Sequence, residues 1–346
     1  MQTETLARQW ESLRANAPSL RARDAAAQLG VSEAELIATT VGTTATRLDT
    51  DAASLLHALP EVGRCMALTR NEHAVSEVHG RYGHVRLGAN GGLVLGEHID
   101  LRVFLAHWRH AFAIEEPHPH APGLRRRSIH VFDQTGTAVH KIYLDSEGNA
   151  RTWDAIVAAR AKELPLVIES APTKRPARAD RDVDHAALVA DWDAMTDTHE
   201  FFTLLGKHAV TRTQALRLAG AERARRVTNH ALSTVLHDAA EAGTRIMIFV
   251  GSRGCIQIYS GEVERIVKKG PWLNVLDPGF NLHLREDHVA SSWVVAKPTA
   301  TGIVSSLELY DADGETIALV FRKRDDRERA EDLAWTAMLQ RIEDAR

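Results

Sequence analysis

The sequence has few cysteines, no long apolar run and no excess of positive charge, and each shortage excludes a class of protein. Its 346 residues include only two cysteines, Cys65 and Cys255, too few and too isolated for a disulfide framework or a four-cysteine metal site. No apolar stretch reaches the roughly 20 residues needed to span a bilayer. The formal net charge of −4 gives no general attraction to nucleic acid or to an anionic membrane.

The sequence also lacks the motifs of several common enzyme classes. Serine-nucleophile and dinucleotide motifs are absent, and the glycine-rich turns GANGG (88–92) and GSRGC (251–255) lack the following helix that would bind phosphate. The stretch MQTETLARQWESLRAN has no basic start followed by an apolar core, so it does not resemble a secretory signal. With 44% apolar and 25% charged residues, the composition predicts a soluble globular protein of the reducing cytoplasm.

Three stretches of the sequence recur in the same order about 180 residues further along the chain. The best match pairs FDQTGTAVHKIYL (132–144) with YDADGETIALVF (310–321), so that Asp133 and Gly136 correspond to Asp311 and Gly314. The other two pairs are ALTRNEHAVSEVHG (67–80) with IFVGSRGCIQIYSG (248–261), and DLRVFLAHW (100–108) with HLREDHVASSW (283–293). Three matches in one order indicate a tandem duplication rather than a chance likeness of hairpins.

Each copy opens with helical periodicity and continues with strands. LRARDAAAQLGVSEAELIAT (20–39) and FFTLLGKHAVTRTQALRLAG (201–220) both predict a helix, a turn and a second helix. Stretches rich in β-branched and aromatic residues follow, which gives a repeated α+β pattern. A polar, proline-marked stretch separates the copies. We therefore predict an N-terminal repeat over 1–168, a linker over 169–184 and a C-terminal repeat over 185–346.

The segment AAAQLGVSEAEL (25–36) resembles the helix-turn-helix of DNA-binding proteins. Its second helix would be the recognition helix, yet it carries Glu33 and Glu35 and no lysine or arginine. Phosphates repel such a helix, and phosphate neutralisation normally supplies much of the affinity for DNA. A plain helical hairpin is the favoured interpretation, and a DNA-binding regulator is the alternative.

His199 raises the main question of function because it directly precedes Glu200 and two phenylalanines in MTDTHEFFTLL (195–205). It could be a packed core histidine, an acid–base catalyst or a metal ligand in an apolar pocket. HExxH spacing and a nearby second histidine or cysteine for zinc are both missing. A flat iron macrocycle needs only one protein ligand, apolar walls and cations for its carboxylates. The candidate cations are Arg102, Arg212, Lys297 and Arg324, although a solvated surface charge is the favoured interpretation of each one taken singly. The loop pair His118 and His120 is a weaker metal candidate.

Several long segments narrow this choice because they resemble one known family. They are MALTRNE (66–72), GLVLGEHIDLRVF (92–104), MTDTHEFFTLL (195–205), RTQALRLAG (212–220), GSRGCIQIYSG (251–261), PWLNVLDPGFNLHL (271–284), WVVAKPTATGIVSSLELYDADG (293–314) and FRKR (321–324). Through them, nearly the whole chain resembles the bacterial cytoplasmic hemin-degrading, or hemin transport, proteins. The resemblance implies a tandem repeat of large antiparallel sheets with helices, and haem held between the halves.

The resemblance also assigns roles to individual residues. The iron ligand of the family falls on His199, in the motif T-D-x-H-x-F-F. The residues implied around the haem are Arg102 and Phe104 on the distal side, Phe249 as a second distal aromatic, and Arg212, Lys297 and Arg324 for the propionates. This chain departs from the family at Arg322, which stands where a glycine is usual and could replace or crowd Arg324.

The function that the resemblance implies is cytoplasmic haem binding, in which imported hemin is degraded, or its breakdown supported, to release iron. Arg102 is the catalytic candidate because a guanidinium stabilises negative charge that develops opposite the histidine. A haem carrier that hands hemin to a separate haem oxygenase needs the same residues and stays open, and a DNA-binding regulator is third. The expected partners are hemin, a haem importer or haem oxygenase, and an electron donor if the protein is an enzyme.

Overall fold

A computed structural model describes residues 2–18, 20–118, 121–173, 176–323 and 333–345 of the chain. Within these ranges the chain forms ten α-helices and eighteen strands, and the strands make two antiparallel sheets of nine strands each. This architecture confirms the predicted α+β class. In the same ranges, no helix combines the length and the apolar character needed to cross a membrane.

The first half of the chain contributes five helices and nine strands. The helices are α1 (Gln2–Asn16), α2 (Ala22–Leu29), α3 (Glu33–Ala38), α4 (Ala52–Ala58) and α5 (Ala150–Arg160). The strands are β1 (Ala45–Leu48), β2 (Gly63–Arg70), β3 (Ala74–Arg81), β4 (His84–Gly88), β5 (Gly91–Leu95), β6 (Asp100–Val103), β7 (His110–Pro117), β8 (Arg125–Phe132) and β9 (Ala138–Gly148).

The second half repeats this order of elements without a change. Its helices are α6 (His185–Asp193), α7 (Glu200–His208), α8 (Arg212–Leu218), α9 (Ala231–Ala242) and α10 (Leu333–Gln340). Its strands are β10 (Ala224–Val227), β11 (Ile246–Gly251), β12 (Cys255–Gly261), β13 (Ile266–Lys269), β14 (Trp272–Asp277), β15 (Phe280–Arg285), β16 (Ser291–Thr299), β17 (Gly302–Tyr310) and β18 (Thr316–Arg322). In both halves one strand lies between the third and fourth helices, and eight strands lie between the fourth and fifth, as a duplicated fold requires.

The turns β8–β9 and β17–β18 show the duplication at atomic detail. Asp133 Oδ1 accepts hydrogen bonds from the amides two and four residues later, at 2.8 and 3.1 Å. Asp311 Oδ1 does the same in the second half, at 2.9 Å in both cases. Gly136 (φ 74°) and Gly314 (φ 76°) then take the left-handed conformation that favours glycine. The Asp-x-x-Gly pattern in the sequence thus reports a shared turn.

Helices α3 and α8 also begin in the same way. The Ser32 hydroxyl accepts from the amide of Glu35 (3.2 Å), and the Glu35 carboxylate accepts from the amide of Ser32 (2.8 Å). Thr211 and Gln214 make the same reciprocal pair at 3.2 and 3.3 Å. Each capping box satisfies two backbone N–H groups that a helix start leaves open. The second of these helices brings Arg212 to its first turn.

The chain divides into two compact units. The first comprises residues 1–70, 76–172 and 251–257, and the second comprises 71–75, 173–250 and 258–346. In the first unit, strands β1, β7, β8, β9 and β2 are neighbours in that order. In the second unit, β10, β16, β17, β18 and β11 follow the same order. The linker over 169–184, which composition places between the two repeats, stays a prediction.

In the second unit, a buried aromatic cluster fixes α6 and α7 against the sheet. The ring of Trp192 meets that of Phe201 edge to face, with 5.0 Å between centroids, and both side chains are fully buried. Trp192 Nε1 also donates to the carbonyl of Ala296 on β16 at 3.0 Å. These contacts hold the start of α7, and with it His199, in one position on the unit.

In the hairpin α2–α3, which resembles a DNA-binding motif, both acidic groups of the second helix make contacts within the first unit. Glu33 is buried and accepts a hydrogen bond from Lys141 Nζ on β9 at 2.6 Å. Glu35 is committed to the capping box with Ser32. Helix α3 is only six residues long, and four of them are buried. The hairpin is therefore explained by packing alone.

Candidate functional site

His199 stands immediately before α7 with its imidazole directed to solvent. Its side chain is 88% exposed, so it is not a packed core histidine. Asp197 Oδ1 accepts from the backbone amide of His199 at 2.7 Å and lies 2.6 Å from ring Nδ1. These bonds, the one from the amide first, lower the pKa of Asp197. Because Nδ1 carries the hydrogen donated to this carboxylate, Nε2 is the nitrogen with a free lone pair.

The turn that carries Asp197 is itself fixed by Glu200. The Glu200 carboxylate accepts from the amide of Thr196 (2.8 Å), from the Thr196 hydroxyl (3.2 Å) and from the amide of Asp197 (3.4 Å). The carbonyl of Thr196 in turn accepts from the amide of Ala300 at 2.8 Å. The carboxylate that orients the imidazole is therefore held by its own set of bonds, an arrangement common around metal-binding histidines.

The two phenylalanines after His199 have different environments. Phe201 is buried beneath α7, whereas Phe202 is 63% exposed and offers an apolar face beside the histidine. The guanidinium of Arg212 lies over both rings, 5.1 Å from the Phe201 centroid and 5.7 Å from the Phe202 centroid. The structure thus brings His199, an exposed aromatic ring and a predicted propionate cation to one surface of the second unit.

Arg212 and Lys297, both predicted as propionate anchors, share a buried carboxylate. Glu308 on β17 accepts from Arg212 Nε (3.1 Å) and Nη2 (3.2 Å), and from Lys297 Nζ (2.6 Å). The Tyr310 hydroxyl also donates to Glu308. Glu308 was not among the residues predicted from the sequence. Its one signal was a glutamate between two leucines in SSLELYD, a pattern that fits an exposed strand residue equally well.

Arg212, Lys297 and Glu308, here called the Arg212 cluster, together carry one net positive charge. Burial by itself raises the pKa of Glu308, but the two cations outweigh it and hold that pKa well below its usual range. Burial lowers the pKa of Lys297, and Glu308 opposes this effect. Both groups of the Lys297–Glu308 pair are almost fully buried, with side-chain exposures of 4% and 0%. Arg212, at 15%, is the member of the cluster that reaches the surface.

Arg102 and Phe104 lie in the first unit, at the end of β6. Arg102 Nη1 donates to Asp100, two residues earlier on the same face of the strand. Its side chain is 34% exposed. Phe104 is 40% exposed, and its amide donates to the carbonyl of Gly254 at 2.9 Å. Asp100 was not predicted as a partner of Arg102, and its hydrogen bond limits how far the guanidinium can reach.

The other predicted haem-site residues are Phe249 and Arg324, and only Phe249 lies among the described residues. Phe249 lies on β11, where its ring packs edge to face against Phe321 at 5.1 Å. Arg324 lies outside the described residues, and Arg322 lies at the end of β18 opposite Ile246. His120 also lies outside the described residues, and no group of three or more metal-binding side chains occurs among those described.

Together these features can bind one iron macrocycle with carboxylate arms. The exposed nitrogen of His199 suits a metal that needs a single protein ligand, and Phe202 supplies apolar surface beside it. The excess positive charge of the Arg212 cluster suits a carboxylate arm. The geometry observed for these residues thus fits haem.

Comparison with known proteins places the chain in a family. A family model described as haemin-degrading HemS.ChuX domain matches twice, over residues 30–159 and 209–342. The chain therefore belongs to the HemS/ChuX haemin-degrading family, and each of its halves carries one copy of the domain.

Individual relatives resemble the chain over almost its full length. It is 40% identical to the hemin transport protein HmuS of Yersinia pestis over 321 residues, which is 92% of each chain. Its structure is similar to that of holo-PhuS, a heme-binding protein from Pseudomonas aeruginosa, with a TM-score of 0.95, 45% identity and 99% of each chain covered. It is also similar to ChuS, a heme degrading enzyme of Escherichia coli O157:H7, with a TM-score of 0.91, 36% identity and 99% coverage of each.

Proposed function

We propose that this chain is a cytoplasmic protein that binds imported hemin through His199 and opens the porphyrin ring to release iron. The observation that carries the proposal is the exposed imidazole whose Nδ1 is engaged by Asp197 and whose Nε2 is free. Membership in a haemin-degrading family and the names of the relatives support hemin as the molecule that is bound.

Asp197 gives His199 two properties that an iron ligand needs. A hydrogen bond from Nδ1 to a carboxylate selects the tautomer in which Nε2 is the donor atom, and it increases the basicity of that nitrogen. It also restricts rotation of a ring that has little packing around it. An exposed histidine without such a partner would lose more conformational entropy when it binds iron.

The Arg212 cluster binds one propionate in this proposal. Arg212 keeps its orientation through Glu308 and Tyr310, and the Nη1 side of its fork is not used in those bonds. The excess charge of the cluster matches one carboxylate, because Glu308 neutralises only one of its two cations. A second propionate then needs a separate cation, the role that the family resemblance gives to Arg324.

Arg102 is the catalytic residue in this proposal, with Phe104 beside it. The iron of haem supplies the oxygen chemistry, and the protein supplies binding, orientation and charge. A guanidinium stabilises negative charge developing at the reacting centre, more strongly in a dry pocket than in water. The hydrogen bond to Asp100 orients Arg102, but the carboxylate also offsets its positive charge. We therefore expect this hydrogen bond to break during the reaction.

Transport is the second candidate function, and it would use the same binding residues. One relative is named a hemin transport protein, whereas another is described as a heme degrading enzyme. A carrier needs His199 and the Arg212 cluster, but it does not need Arg102 to stabilise charge that develops during a reaction. Its partners would be a haem importer and a haem oxygenase, whereas the enzyme needs an electron donor.

An absorption experiment separates these functions. The ferric hemin complex is given a reductant in air, with catalase present because free hydrogen peroxide destroys haem without an enzyme. We expect the Soret band to decay and iron to become available to a chelator. A Soret band that persists while an apo acceptor protein still withdraws the hemin would establish the carrier and reject the enzyme.

A further inference from the structure

The first unit contains a cavity of about 940 Å³ that has no part in the site described above. Its walls come from β1 and the turn before it, from β7 and β8, and from α5 with the segment that follows it. Small-molecule sites in proteins commonly have volumes of about 300–1,000 Å³. The cavity is therefore large enough for a compact organic ligand.

The floor of this cavity is apolar and firmly packed. Phe112 on β7 and Trp153 on α5 line it, and they are 0% and 3% exposed. The Phe112 ring also packs edge to face against Phe132, with 6.0 Å between centroids. Ile114 and Val157 extend the apolar wall. Ile114 and Val157 are only partly buried, so their surface favours the apolar part of a ligand, by about 25 cal/mol per Å² removed from water.

Arg47 brings a positive charge to the same cavity and has no carboxylate partner among the described residues. It is 6% exposed and lies over Phe112, with 4.6 Å from the guanidinium carbon to the ring centroid. Nη1 donates to the carbonyl of Ala111 (3.0 Å) and Nη2 to His110 Nδ1 (3.0 Å). Nε has no acceptor among the described residues. Each hydrogen bond that this guanidinium makes to a described residue is thus with a neutral group.

The other charges of the cavity largely cancel. Arg125 pairs with Glu115 at 2.6 Å, and Arg127 lies 3.6 Å from Asp154. The lining has four basic and three acidic side chains, so one positive charge is left over. A buried cation without a counterion is unfavourable, because it loses hydration that neutral partners replace only in part.

We propose that this cavity binds a small amphipathic monocarboxylate, whose carboxylate pairs with Arg47 and whose apolar body covers Ile114 and Val157. A single excess charge suits a carboxylate better than a phosphate dianion, and the apolar floor suits a hydrocarbon or aromatic body. All residues that line the cavity belong to the first unit, whereas His199 and Glu308 belong to the second. None of the lining residues belongs to the proposed hemin site, Arg102 and Phe104 included, so the two sites use separate side chains.

The test is calorimetric titration of the full-length protein with decanoate and with uncharged 1-decanol. We expect saturable binding of decanoate that Arg47→Met weakens about tenfold or more, the effect of losing a charged hydrogen bond. The same substitution should leave 1-decanol binding unchanged. Arg125→Met removes a lining arginine that already has Glu115 as its partner, so it serves as the matched control and should change decanoate binding little. Val157→Trp fills the cavity, keeps Arg47 and should abolish binding of both compounds.

Two further measurements decide between a ligand site and a structural arginine. Loading the protein with one equivalent of hemin should leave decanoate binding intact, and displacement by hemin would overturn the separate site. Without ligand, Arg47→Met should unfold at the same temperature as the wild type or higher, because it removes an unpaired buried charge. Loss of stability with unchanged decanoate affinity, or no saturable decanoate binding to the wild type, would reject the proposal.

Discussion

Asp197 Oδ1 accepts two hydrogen bonds from His199, one from the backbone amide at 2.7 Å and one from ring Nδ1 at 2.6 Å. The histidine is thereby oriented by its own turn. Its exposure follows from this arrangement, because the imidazole needs no packing to hold its position. A ligand can approach Nε2 directly.

Asp197→Ala should therefore weaken hemin binding without removing the ligand. Loss of a carboxylate that supports a metal-binding histidine typically costs about 10–100-fold in affinity, and we expect a loss in this range. Hemin titration followed at the Soret band measures it. Asp193→Ala is the matched control, since Asp193 pairs with Arg223 instead. Equal affinity in the two variants would show that Asp197 does not support the ligand.

Arg212→Gln should weaken binding of hemin but not of its dimethyl ester. The ester carries no propionate charge, so it gains nothing from the positive cluster. We expect a loss of about tenfold for hemin, the effect of removing a charged hydrogen bond. Arg217→Gln is the control on the same helix, because Arg217 is exposed and pairs with Asp180. An equal loss for hemin and ester would assign Arg212 a purely structural role.

Glu308→Gln should destabilise the protein at neutral pH. It leaves Arg212 and Lys297 buried without a counterion, and breaking a buried pair in this way costs about 3–5 kcal/mol. Urea unfolding measures the difference from the wild type. Glu241→Gln, at an exposed position on α9, is the control and should change stability little.

The loss of stability caused by Glu308→Gln should depend on pH in a defined way. The pKa of Glu308 is lowered in the folded protein, so its contribution is complete above the ordinary glutamate pKa of about 4.3 and is lost as the pH falls towards its lower folded value. The difference in unfolding free energy between wild type and Glu308→Gln should stay constant from about pH 7 to 5 and shrink below about pH 4. A difference that grows on acidification would mean that Glu308 is not the ionised partner.

Arg102→Ala should slow ring opening more than it weakens hemin binding. Removal of a group that stabilises developing negative charge typically costs about 100-fold or more in rate, and we expect an effect of that order. Soret decay with reductant, air and catalase measures the rate, and a separate titration measures affinity. Arg86→Ala, at an exposed position on β4, is the control. If Arg102→Ala decays at the wild-type rate, Arg102 is not catalytic.

The fold was predictable because the duplication leaves local signals. The Asp-x-x-Gly turns at Asp133 and Asp311 use short-range hydrogen bonds, so sequence alone identifies them. Each pair of helices before the strands likewise follows from periodicity, and the structure confirms both pairs. Such features depend on neighbours in the chain, which a single sequence shows.

The site was predictable only in part because its partners come from distant segments. Glu308 joins Arg212 across 96 residues of sequence, and nothing in either segment indicates that pairing. The pairing of Asp197 with His199 spans two residues, yet the direction of the carboxylate depends on a turn that Glu200 fixes. Residue types could be read from the sequence, whereas the way their charges are shared could not.

Hemin titration of His199→Ala tests the central claim most directly. His185→Ala is the matched control, since His185 is an exposed histidine of the same unit whose ring lies 3.3 Å from the carbonyl of Asp180. We predict that His199→Ala shifts the Soret band and weakens hemin binding, that added imidazole restores the wild-type spectrum, and that His185→Ala behaves as wild type. A His199→Ala protein with the wild-type spectrum and affinity across the whole titration would contradict the account, because iron would then have another ligand.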